Sequence, residues 1–144
     1  MKILSAKELR EKIALAEAAK AAAAMKAHEA AEHEKHEMIE RLSKPSGLDD
    51  QEIIERASAI VSRAVENGLT QVQVLRFPHT ICSDNGRAIN QAEEGWEKTL
   101  TGVPKEIFEF WKRQLQPAGY HIRYEVVDYP NGMPGDIGIF LSWG

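Results

Sequence analysis

The sequence is poor in several things, and each shortage excludes a class of protein. One cysteine, Cys82, in 144 residues leaves no internal disulfide to form, which fits a reducing compartment. No stretch approaches the ~20 consecutive apolar residues of a membrane span. Lys7, Arg10, Glu11 and Lys12 interrupt the N-terminal region too early for the apolar core of a signal peptide. A soluble, cytoplasmic protein with no membrane span is the expectation. The net charge is −4 and the isoelectric point about 5.8. Residues 1–46 carry +1 and the remainder −5. Neither part has the basic excess that a phosphate backbone demands, so nucleic acid is not an expected partner.

A further shortage is local. Residues 1–46 contain no aromatic residue and no glycine, while all ten aromatics and all ten glycines lie after them. What the first segment does contain is twelve Ala, nine Lys or Arg and eight Glu. Two kinds of sequence share the chain, and we read them as a helical arm over 1–46, coiled-coil-like, and a compact α+β domain over 47–144.

The arm has the marks of one long helix. Ser5 and Glu8 form an S-x-x-E capping box, and Leu4 and Leu9 have the spacing of a hydrophobic staple. Strong helix formers run from Ala6 to about Leu42, with Glu8–Lys12, Glu37–Arg41 and Glu40–Lys44 as favourable i,i+4 pairs. Pro45 and Gly47 then stop the helix. Such a helix is roughly 55 Å long, more than the ~30–35 Å width of a domain built from the remaining residues. The sequence therefore predicts that part of it projects or pairs with something outside its own domain. Leu9, Ile13, Ala16, Ala23, Ala27, Ala31, Met38 and Leu42 fall in one narrow stripe, interrupted by Lys20 and Glu34. Alanine buries little area, so such a seam gains free energy only through close helix–helix contact. Self-association, or docking on another helical protein, is the expected use of this stripe.

The remainder alternates helix and strand signals. A helix beginning at Asp49 or Asp50 and ending before Gly68 has an apolar stripe of Ile53, Ala57, Ile60 and Ala64. Residues 70–77 read as a strand, a short helix follows Asn85-Gly86, and Pro104 opens a helix that buries Ile107, Phe108, Trp111 and Leu115. Residues 120–129 and 136–143 read as two further strands. The order α-α-β-α-α-β-β predicts an α+β fold: the long N-terminal helix, then a small two-layer domain with a three-stranded mixed sheet packed by helices. The first two strands are expected to be parallel neighbours through a crossover.

Three places offer chemistry. His28, His33 and His36 sit among glutamates on the arm. His28 and His33 are five residues apart, too far for a helical metal pair, and His33 and His36 have the required i,i+3 spacing. All three point away from the apolar stripe into solvent, however, where a site would still need further ligands and a second shell. We assign no metal and no cofactor. The loop 78–87 follows the carboxyl end of a strand and leads into a helix, where ligands often bind. There His79, Cys82, Asp84 and Arg87 are the candidate residues for an anionic ligand. A Cys82–His79 pair oriented by Asp84 is the covalent variant of that site. The turn-rich connector 128–136 offers a wall for it, or a rigid turn. The leading expectation is a non-enzymatic interaction or assembly protein working through the arm. The alternative is a small-molecule binding domain or enzyme with its site at 78–87.

Overall fold

A computed structural model describes residues 3–144. The fold is α+β, as expected, and divides between Met38 and Ile39 into two compact units. The first unit is the long helix α1 (Ala6–Leu42) as far as Met38. Its capping box forms: the Glu8 amide donates to Ser5 Oγ (3.1 Å) and the Ser5 amide to Glu8 Oε2 (3.3 Å). These two bonds satisfy amides that have no partner inside the helix.

The second unit begins with the last turn of α1 and holds all the strands. Helix α2 (Asp50–Glu66) is capped by Asp49, whose carboxylate accepts from the Glu52 amide at 2.9 Å. It stops where Gly68 takes φ +74°, a conformation that glycine adopts without penalty. Strand β1 (Gln71–Pro78) is followed by a 3-10 turn over His79–Ile81 and a one-turn helix α3 (Arg87–Asn90). Helix α4 (Gly102–Phe110) continues as a π-helical segment over Trp111–Leu115. It begins two residues before Pro104, because Thr101 is the flanking residue and Gly102 the first helical one. Strands β2 (His121–Val126) and β3 (Asp136–Ser142) complete the chain.

The sheet order is β1-β3-β2 and both pairings are antiparallel. The expected mixed sheet is thereby corrected. β1 and β2 do run parallel to each other, but β3 lies between them. The reason is in the strand compositions. β3 has no charged residue after Asp136, and Ile137 and Ile139 are fully buried. β1 and β2 keep Arg76, His121, Arg123 and Glu125, which suit edges that face water.

Register builds one apolar face from cross-strand rows: Val72, Leu141 and Ile122; Leu75, Ile139 and Tyr124; Phe77, Ile137 and Val126. An irregularity between Gln73 and Leu75 inserts Val74 as an extra residue. The core gathers Phe77, Ile81, Cys82, Ile89, Leu100, Tyr124, Ile137 and Ile139, together with Leu42 from the last turn of α1. Tyr124 donates its hydroxyl to the Pro104 carbonyl at 2.7 Å and meets Phe77, Trp96 and Phe108 ring to ring. On the other face the Arg123 guanidinium lies 4.6 Å from the Phe140 ring centroid.

Candidate functional site

In the loop 78–87, His79 and Asp84 make hydrogen bonds that hold the chain, and Cys82 is buried in the core. His79 Nδ1 lies 3.1 Å from the Gly135 carbonyl oxygen, which joins the loop to the connector before β3. Cys82 is only 3% exposed. Burial pushes its thiol up to about 11, with a smaller contribution from the charge of Asp84. A thiol so placed stays protonated at neutral pH, and only the thiolate is a nucleophile. Asp84 does not orient a histidine. Its two carboxylate oxygens accept from the Gly86 amide (2.9 Å) and the Ala88 amide (2.8 Å). The amides expected to greet an anion are thus already occupied by a carboxylate from their own loop. Arg87 is exposed and reaches Glu93 at 3.8 Å.

The connector is a braced turn. Arg76 spans Asp136 (2.9 Å) and Asp128 (3.1 Å), and Tyr129 donates its hydroxyl to Asn90 Oδ1 at 3.0 Å. On the arm, His33 Nε2 lies 3.0 Å from Glu37 on its own helix. Among the described residues, no group of three or more His, Cys, Asp or Glu is placed to hold a metal ion.

Sequence reasoning missed a cleft. Within the second unit, α2 and α4 stand apart over the sheet and leave a cleft of about 520 Å³. One wall is Ile53, Arg56, Ala57 and Ile60 of α2. The other is Val103, Glu106, Ile107 and Phe110 of α4, continued by Trp111 and Leu115. Val74 and Leu141 form the floor, and Arg41, Leu42, Ser46 and Leu48 close one end. Protein interiors are close-packed, so an apolar opening of this size is a feature to be explained. The π-helical segment contributes to it. An i→i+5 turn is wider than an α turn and recurs at functional sites. Trp111 is fixed there by donation of its indole N–H to the Tyr120 carbonyl at 2.9 Å.

The rim of the cleft has an uneven charge balance. Glu106 accepts from the Ser46 amide (2.9 Å) and the Ser46 hydroxyl (2.8 Å). Arg41 and Arg56 make no salt bridge among the described residues. The sequence pairs Glu37 with Arg41, yet in the structure Glu37 turns to His33.

The third feature is the arm itself. Every described residue as far as Met38 is exposed, including Leu9, Ile13, Ala16, Ala23, Ala27 and Ala31. Leu42 departs from this set of stripe residues. It is 6% exposed and belongs to the core of the second unit, which takes in the last turn of α1. No described helix is long and apolar enough to cross a membrane. Comparison of the chain with family models, with curated proteins and with solved structures finds no match in any of the three.

Proposed function

We propose that the protein is a non-enzymatic assembly protein, in which α1 as far as Met38 pairs antiparallel with the same segment of a second copy. The observation that carries this reading is the exposure of the stripe from Leu9 as far as Met38. Leu9 is 47% and Ile13 58% exposed, and removing such surface from water is favourable by about 25 cal/mol per Å². The stripe recurs at about 3.6 residues, so it runs nearly straight along the helix and needs little supercoil to stay on one face. Its alanine centre lets two backbones approach closely.

The two interruptions set the direction. Lys20 and Glu34 lie at equal distances on either side of Ala27. Antiparallel pairing centred on Ala27 puts Lys20 of one arm opposite Glu34 of the other, twice per dimer. The same register puts Ala23 opposite Ala31, and small Ala16 opposite large Met38. Parallel pairing would set Lys20 against Lys20 and Glu34 against Glu34, which is repulsive. Neither Lys20 nor Glu34 has a salt bridge of its own among the described residues.

Sedimentation equilibrium on the full chain tests this. The expected mass is twice the 16.1 kDa of one chain. Lys20→Glu alone or Glu34→Lys alone should weaken the dimer by about tenfold, and the double exchange should restore it. A monomer at all concentrations, or a double exchange no better than the single ones, would overturn the proposal.

A further inference from the structure

We infer that the cleft between α2 and α4 binds an amphipathic monocarboxylate, a molecule with one carboxylate on an apolar body. The apolar body would lie between Ile53 and Ile60 on one side and Ile107 and Trp111 on the other. Three observations lead there. The volume, about 520 Å³, falls in the range of small-molecule sites, which are mostly apolar with a few polar groups that fix orientation. The walls and floor offer water few hydrogen-bonding partners, so water gains little by filling the cleft and an apolar group gains by displacing it.

The rim then selects the head group. Arg41, Arg56 and Glu106 are the charged residues that line the cleft; both arginines are exposed, and the Glu106 carboxylate is occupied by two bonds from Ser46. The rim is left with a net charge of +1 and two guanidinium forks without a carboxylate partner among the described residues. One negative charge balances that rim. A carboxylate also matches the planar, bidentate geometry of guanidinium better than other small anions without planar symmetry do. A cationic head group would meet two arginines, and a neutral one would leave the rim charge uncompensated.

Isothermal titration of the full chain with decanoate, kept below its aggregation concentration, tests the inference. Decylammonium, with the same alkyl chain and opposite charge, is the comparison. Decanoate should saturate at one molecule per chain, and decylammonium should bind at least about tenfold more weakly. The double substitution Arg41→Gln and Arg56→Gln should weaken decanoate by at least about tenfold and leave decylammonium no weaker. Both arginines are exposed, so this variant should fold as the parent does, which its melting temperature checks. Ala57→Phe, which fills the cleft from the α2 wall, should abolish decanoate binding without lowering the melting temperature. If that variant does not fold, Ile60→Trp at the 37% exposed Ile60 replaces it. No saturable decanoate binding, equal affinity for the two head groups, or undiminished binding after loss of both arginines would overturn the inference. None of these outcomes depends on whether the arms pair.

Discussion

The Glu106 carboxylate holds Ser46 by two hydrogen bonds, at 2.9 Å from the amide and 2.8 Å from the hydroxyl. The Leu48 amide in turn donates to the Ser46 hydroxyl oxygen at 3.2 Å. This short chain of bonds pins the segment after α1 to α4, and it sits at one end of the cleft. Glu106→Ala should cost about 1–2 kcal/mol in urea denaturation, since it removes a charged acceptor from two donors. Glu106→Gln keeps an acceptor for Ser46 but removes the negative charge from the rim. It should therefore cost less stability and tighten decanoate binding by roughly two- to fivefold.

Gly102 opens α4 at φ +58°, and a Cβ there would collide with the backbone of Leu42 and Ser43. The first turn of α4 approaches the end of α1 as closely as it does only because residue 102 has no side chain. Gly102→Ala combines a left-handed backbone with a backbone clash that no side chain can relieve. It should destabilise the second unit by about 2–4 kcal/mol, read as a drop in the denaturation midpoint. Gly95, also at positive φ but with nothing within 4 Å, is the control, and Gly95→Ala should cost only about 1 kcal/mol.

Cys82 gives a pH prediction. Its folded thiol titrates near 11 against an ordinary value of 9.0, chiefly because it is buried. The folded value is the higher one, so the stabilising contribution is complete below pH 9 and is lost as pH rises towards 11. Over that interval the unfolded chain has already released the proton that the folded chain retains. The parent should lose roughly 2 kcal/mol more stability than Cys82→Ala between pH 9 and pH 11. Native protein at pH 8 should resist an aromatic disulfide reagent and react promptly once unfolded.

Much of the local structure is legible in the sequence because it is set by neighbours in the chain. Ser5 with Glu8, Asp49 before α2 and Gly68 after it all act as read, since capping needs only a few consecutive residues. The alternation of Ile137, Ile139 and Leu141 marks β3 and its inner face. What the sequence hides is choice among tertiary alternatives. A crossover between β1 and β2 fits both a parallel pair and the observed order with β3 inserted, and only competition for the centre of the sheet decides. The cleft is hidden for a related reason. Ile53, Ile60, Ile107 and Trp111 have the periodicity of core residues, and they are partly exposed because α2 and α4 stand apart. No glycine or proline marks the π-helical turn at Trp111–Leu115. At the loop, the residue types Cys, His and Asp suggest chemistry, whereas their hydrogen bonds show a brace.

Cysteine cross-linking in a Cys82→Ala background reads out whether the arms pair antiparallel. Ala27 is the centre of the proposed register, so Ala27→Cys should oxidise readily to a disulfide dimer. Ala16→Cys alone should not, because antiparallel arms put the two copies of residue 16 about 33 Å apart, well beyond the reach of a disulfide. An equal mixture of Ala16→Cys and Met38→Cys chains should yield the mixed disulfide dimer. Ready cross-linking of Ala16→Cys with itself, without the mixed product, would show parallel arms, and the absence of any cross-link at Ala27→Cys would rule out pairing centred on that residue.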